Sequence, residues 1–293
     1  MFSHFLTKSV DKKINQIKEV DLTNPLQRKK AVNAIIAGKV VAGHMRRVFG
    51  LWIDSSSESA YKAVMQIKGE SLEKKMSIMT TGSFIVPHIN SMRVKKKYRK
   101  YVQDANIFSE TFGSLCHTIL PINSSSVNYF SKNIISDISS NTNQIDHIVY
   151  NLDPSGHPGM EQFIRDLEFE GIIPAVTSMN PAQHPEITHI ENARYFLESL
   201  SKNRPHLLMR DFYPVHKDIL GSFAQIHLIN GYIERDGHIP AHILSLMLGM
   251  EVNPKKFKKH KYTHIHFRKE FIDKIKRMST PEIRDLILKF IHT

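Results

Sequence analysis

Ile172-Ile173-Pro174-Ala175-Val176-Thr177-Ser178-Met179-Asn180-Pro181-Ala182-Gln183-His184 is an apolar run that stops abruptly in hydroxyl and amide side chains. The apolar half reads as a buried strand, Ile172 to Thr177. A strand that leaves through Thr177, Ser178 and Asn180 sets polar donors at a sheet edge, where open α/β folds keep their ligands. Ser, Asn and Pro are equally the residues of an ordinary turn, so a plain strand exit is the competing reading.

Working outward, strands and helices alternate. Asn24 before Pro25 is an N-cap signal for a helix over Pro25–Ile36, which Gly38 ends. Lys39-Val40-Val41-Ala42 reads as a short strand, followed by a polar break from Gly43 to Arg47 and a second apolar patch, Val48 to Ile53. Ser55 to Ser57 can cap a helix over Glu58–Lys68, and Gly69 stops it. Further strands are expected at Met76–Met79, Thr118–Ile122 and His147–Leu152, with a helix over Gly159–Glu170 leading into the opening stretch. This alternation predicts an α/β (α+β) fold built on a mixed or parallel sheet.

Composition bounds the function. The 293 residues carry 41% hydrophobic side chains, enough for a sizeable core, and a net charge of +12 that favours polyanions or anionic small molecules as partners. A single cysteine, Cys116, excludes an intrachain disulfide and a cysteine-rich zinc site. Met1 to Val20 has no apolar signal-peptide core, and no run reaches the eighteen or so apolar residues of a membrane span. A cytoplasmic protein is expected. Residues 1–21 read as an N-terminal extension, 22–250 as the main domain and 251–293 as a basic helical tail. Arg93 to Lys100 is a basic run, and the Ser/Asn-rich stretch 123–143 reads as an exposed insertion. The last helix is opened by Ser279-Thr280-Pro281-Glu282, a capping box.

The order of several short pieces resembles the YrdC/YciO family. They are Ala37-Gly38-Lys39-Val40-Val41, Val48-Phe49-Gly50-Leu51, Ile67-Lys68-Gly69, Lys74-Lys75-Met76, the Phe112-Gly113 to Pro121 strand, His157-Pro158, Thr177-Ser178-x-Asn180, Gly221-Ser222 and Tyr232 to Gly237. The resemblance spans about residues 22–250. It implies a twisted mixed sheet flanked by helices with a concave basic cleft. It also implies an enzyme of the threonylcarbamoyl-adenylate synthase type: ATP, bicarbonate and threonine give a carbamoyl-adenylate and pyrophosphate, serving a tRNA-modifying partner enzyme. Lys68 falls on the lysine of the family's Lys-x-Arg motif, and Ser178 and Asn180 on its Ser-x-Asn motif. These three are therefore the expected catalytic residues, and with Thr177 the expected ATP-binding ones. Mg²⁺ would be held through the triphosphate. Phe49, Arg46, Arg47 and Lys74 are the expected contacts to the amino acid or related carboxylate.

The chain also departs from the pattern. His44-Met45-Arg46-Arg47 stands where the family has Pro-Thr-Asp-Thr, Glu70 replaces the second cation of Lys-x-Arg, and Asn151 falls near another family arginine. Exchanging Arg for Glu reverses the sign at an anion site. Two classes of function follow: an enzyme with an altered substrate site, or a catalytically silent relative that binds RNA or nucleotide.

Lys255, Lys256, Lys258, Lys259 and Lys261 interleave with Phe257 and Tyr262, a composition suited to phosphate contact and base stacking. tRNA or double-stranded RNA is the partner the resemblance implies. A solvated tail and an anionic membrane surface are the other readers of the same charge. His260-x3-His264-x-His266 and His184-x4-His189 have metal-like spacings but no carboxylate or thiolate complement, so no metal site is expected. Asp104, Glu110, Asp153 and Glu168 are scattered along the chain, with no spacing that marks an acid/base pair.

Overall fold

The computed structural model describes residues 17–45, 48–139, 145–210, 222–253, 255, 257 and 269–292. Its first half runs β1 (Lys18–Asp21), α1 (Pro25–Ile36), β2 (Val41–Met45), β3 (Val48–Asp54), α2 (Glu58–Lys68), β4 (Ser77–Met79), α3 (Gly82–Ile85), α4 (Ala105–Phe112) and β5 (Cys116–Pro121). There follow β6 (Ser136–Ser139), β7 (Ile145–Leu152), α5 (Pro158–Phe169), β8 (Pro174–Ser178), α6 (Ile190–Ser199) and β9 (Leu207–Arg210). The chain closes with β10 (Ala224–His227), β11 (Tyr232–Arg235), α7 (Ala241–Leu248), β12 (Glu251–Val252), α8 (Lys269–Ile275) and α9 (Thr280–His292).

Local chemistry sets these limits. The Asn24 side chain accepts from the amides of Leu26 and Gln27, so α1 starts where the cap signal lies. Ser57 accepts from the Ala60 amide to open α2, and Gly69 closes it at φ 63, a left-handed conformation that favours glycine. Ser279 donates through both its amide and its hydroxyl to the Glu282 carboxylate, the capping box that starts α9.

The described strands form one mixed sheet in the order β1-β9-β2-β3-β8-β4-β7-β5-β10-β11-β12, with β6 on the flank of β7. Strand β3 shows how both faces are covered. Its Phe49, Leu51 and Ile53 enter one core with α2, α4 and α7, while Val48 and Trp52 enter a second beneath α1 and α5. The Trp52 ring meets Phe163 of α5 edge-on, with centroids 5.9 Å apart. Each such fully buried large side chain stabilises the fold by roughly 1.5–3 kcal/mol.

Four stretches differ from the sequence reading. Of the break expected at 43–47, Gly43 to Met45 are instead the end of a strand, because β2 runs to Met45 and pairs antiparallel with β3, while 46 and 47 lie outside the described residues. Lys18–Asp21, the end of the supposed extension, is an edge strand parallel to β9. Within 123–143, Ser136–Ser139 pairs with β7, and Phe130 and Ile134 are buried in the core. Their apolar side chains outweigh the polar composition around them. Ile275, Ile283 and Ile287 of the supposed tail belong to the same core. No helix among the described residues is long and apolar enough to cross a membrane.

Candidate functional site

The end of β8 and the end of α2 meet. The backbone amide of Ala182 donates to the carbonyl of Lys68 at 2.8 Å, which fixes the turn after the strand against the helix terminus. The Lys68 side chain then crosses to the same turn, its Nζ donating to the carbonyls of Ser178 at 2.6 Å and Asn180 at 2.7 Å, with Ser178 Oγ at 3.5 Å. Lys68 is 2% exposed. Burial pushes its ammonium down to about 8, aided by the charge of Lys74 and opposed by Glu70 and Glu186. Asn180 Nδ2 holds the turn from within, donating to the carbonyls of His184 (2.7 Å) and Pro181 (3.2 Å), while its buried Oδ1 meets no donor among the described residues. Thr177 and Ser178 are half-buried. The structure thus brings Lys68, Thr177, Ser178 and Asn180 together.

The remaining expected contacts lie differently. Phe49 is fully buried, its ring against His44 with centroids 4.1 Å apart, and its carbonyl accepts from the Met179 amide of the turn at 2.8 Å. Lys74 forms an ion pair with Glu70, four residues before it in the loop after α2, so the residue that reverses the expected charge also holds the neighbouring cation. Arg46 and Arg47 lie outside the described residues, as do Lys256, Lys258, Lys259, Lys261 and the three histidines at 260, 264 and 266. Lys255 is exposed.

Register places a glycine pair beside the site. Gly43 faces Gly50 across the β2–β3 hairpin, and Gly50 faces Ser178. A Cβ on Gly50 would stand 3.0 Å from the Met45 Cε, so the Met45 side chain fills the space over Gly50.

Sequence reading missed three residues: Glu186, Ser222 and Arg235. Arg235 Nη2 donates to Ser222 Oγ at 3.1 Å and to the Phe223 carbonyl at 2.8 Å. Glu186 also bonds Ser222, and its carboxylate feels both Arg235 and Lys68; burial nevertheless raises it above the usual carboxylate range. Arg235 pairs with Gln225, Gln225 with His117 and His117 with Leu152, so these four form one row across neighbouring strands. Burial first, and the charge of Arg235 second, push the His117 imidazole down to about 3, leaving it neutral. Arg235 stands in the Tyr232–Gly237 segment and was visible by position. Glu186 has no signal in the sequence, because its role comes from a loop folding back over two distant cations.

These groups present a buried lysine, a half-buried arginine, one half-buried carboxylate and several hydroxyl and amide groups, a set suited to holding an anion. Among the described residues no group of three or more His, Cys, Asp or Glu stands close enough to hold a metal ion.

No family model and no curated protein matches this chain. Among solved structures, a doubly substituted variant of P. abyssi Sua5 superposes with a TM-score of 0.56 at 17% identity, over 81% of this chain and 65% of that one. This chain therefore spans just under two thirds of that protein. P. abyssi Sua5 in complex with L-threonine gives 0.54 at 18% identity, over 93% of this chain and 76% of that one. E. coli YciO gives 0.49 at 15% identity, over 73% and 90%.

Proposed function

We propose that this chain, which has the fold of the YrdC/Sua5 proteins, is an enzyme of the threonylcarbamoyl-adenylate synthase type with an altered amino-acid subsite. It would join ATP, bicarbonate and threonine or a related amino acid into a carbamoyl-adenylate, release pyrophosphate and serve tRNA modification. The observation that carries this reading is the convergence of Lys68 with Ser178 and Asn180 at a buried turn. ATP supplies the adenylyl group and brings Mg²⁺ on its own phosphates. Lys68 and Arg235 offer fixed cations to charge growing on phosphorus, and Ser178 and Asn180 orient the nucleotide through hydroxyl and amide groups. Neutral His117 donates or accepts a hydrogen bond without adding charge. The small amino acid is suggested by the L-threonine that P. abyssi Sua5 holds.

The altered subsite rests on Met45 over Gly50 and on the Glu70–Lys74 pair. A thioether donates nothing and accepts only weakly from a threonine hydroxyl, and a lysine held by a carboxylate is less free to take a ligand's carboxylate.

A catalytically silent relative that binds nucleotide or RNA is the second reading, favoured by Glu186, which already offsets part of the charge of Lys68 and Arg235. Pyrophosphate release from ATP, bicarbonate, Mg²⁺ and a panel of amino acids separates the two. The enzyme reading expects release that depends on one amino acid and is slower with threonine. No release with any of them, together with ATP binding by calorimetry, supports the silent relative. ATP binding unchanged in both Ser178→Ala and Asn180→Ala would remove the nucleotide role given to this turn.

A further inference from the structure

A cavity lies at the ends of the strands away from the Lys68 turn. Thr81 follows β4 and Asp153 follows β7, and these two strands are parallel, so both residues mark the same end of the strands. Strand β8 runs antiparallel to β4, which puts Ser178 and Lys68 at the opposite end. The cavity encloses about 170 Å³, well below the roughly 300–1,000 Å³ of sites for drug-sized ligands. Its only apolar lining side chain is that of Ala105.

The walls are rigid. A Cβ on Gly82 would stand 2.5 Å from both the Ala105 carbonyl oxygen and Ser109 Oγ, and one on Gly113 would stand 1.7 Å from Ser155 Oγ. Glycine at these two positions lets three segments close on one another and holds Ser109 and Ser155 in place.

The charges lining the cavity do not match one another. Arg165 is paired with Glu161 at 2.9 Å. Asp153 is 4% exposed and accepts from Ser109 Oγ at 2.7 Å and the Ser155 amide at 2.8 Å, but has no cation within ion-pair distance among the described residues. Burial holds its carboxyl above the usual range. Glu110, on the rim, has no ion-pair partner among the described residues either. In the same lining Arg284 of α9 donates through Nη2 to Ser155 Oγ at 3.2 Å, reaches Asp285 only at 3.5 Å, and has a buried Nε that meets no acceptor among the described residues. Nε and one Nη form the edge of a guanidinium that takes a carboxylate with two hydrogen bonds.

An anion here would satisfy Arg284 and face two carboxylates; a cation would do the reverse. Only a ligand carrying both charges answers both walls. We propose that this cavity is a second small-molecule site, which takes a zwitterion of small amino-acid size with its carboxylate on the Nε edge of Arg284 and its ammonium on Asp153 and Glu110.

Calorimetry on the full chain with glycine, L-serine, L-threonine and L-aspartate tests this, with acetate and ethanolamine as single-charge controls. At least one amino acid should bind the parent, and neither control should bind comparably. Arg284→Lys keeps the charge but removes the two-bond edge, and it should weaken binding about tenfold. Asp153→Asn should do the same. Glu110→Gln, at an exposed rim position that leaves the fold intact, should weaken it several-fold, so the site is testable even if the two buried changes unfold the chain. Lys68→Met should leave this binding unchanged. The proposal is overturned if no amino acid binds the parent, if a single-charge control binds as well, or if Glu110→Gln leaves binding intact. It is also overturned if Lys68→Met abolishes binding that Arg284→Lys does not touch; in that case the amino acid sits at the Lys68 turn, and only the proposed enzymatic function gains.

Discussion

Lys68 shows how one buried side chain can hold a turn together. Its ammonium satisfies two backbone carbonyls that a turn would otherwise bury without partners. Lys68→Met should therefore destabilise the protein by roughly 1–3 kcal/mol in urea unfolding, the usual penalty for orphaned buried acceptors. The pH dependence has an uncommon sign. Folded Lys68 releases its proton near 8 and the unfolded residue near 10.5, so between those values the unfolded state holds the extra proton. Stability from this residue thus rises with pH across that window, and below it the full cost of the buried charge is present. The gap between parent and Lys68→Met should widen from neutral pH to about pH 10; a constant gap would show that the ammonium is not strained by burial. Glu186 is the counterpart. Glu186→Gln removes the internal anion facing Lys68 and Arg235, so inorganic pyrophosphate should bind roughly tenfold more tightly, about 1.4 kcal/mol, while the unliganded fold weakens. Equal or weaker affinity would mean that the carboxylate does not compete with ligands.

At the scale of elements, the β2–β3 hairpin packs its glycine pair against the end of β8. Met209, Gly43, Gly50 and Ser178 stand in one row across four strands. A Cβ on Gly43 would lie 2.6 Å from the Met209 Cβ, and neither strand can shift without disturbing the sheet. Gly43→Ala should cost about 1–3 kcal/mol, the range of overpacked cores, and a thermal melt within a degree of the parent would contradict it. Asn24→Ala removes the α1 cap and should cost about 1 kcal/mol. The helix was legible beforehand, whereas the hairpin was not, because Gly43 to Met45 read as a polar break. The α1 cap, the Gly69 stop and the α9 capping box follow from neighbours within four residues, and the structure shows each of them.

For the whole molecule, α9 is part of the core. Ile283 and Ile287 are 2% and 0% exposed. Ile287→Ala should cost about 2–5 kcal/mol by the loss of buried contacts and the cavity left behind, whereas a solvated tail would tolerate the change within about half a kcal/mol. The net charge of +12 pointed to polyanions, yet several cations answer to internal groups: Lys68 to backbone carbonyls, Arg235 to Ser222 and Glu186, Arg93 to Asp146. Formal charge therefore overstates what the surface offers.

The alternation of strands and helices, the limits of α1, α2 and α5, the start of α9 and the turn that closes β8 were determined by the chain's local order, because caps, glycines and apolar periods act over a few residues. That local order also marked Lys68, Ser178 and Asn180. Only the tertiary structure decided that Lys68 points back onto the carbonyls of residues 178 and 180, that Glu186 faces Arg235, and that Arg284 closes a cavity containing Asp153. Each of these joins groups tens of residues or more apart, and a buried charge finds its partner through the crossing of strands and loops, which no spacing along the sequence encodes.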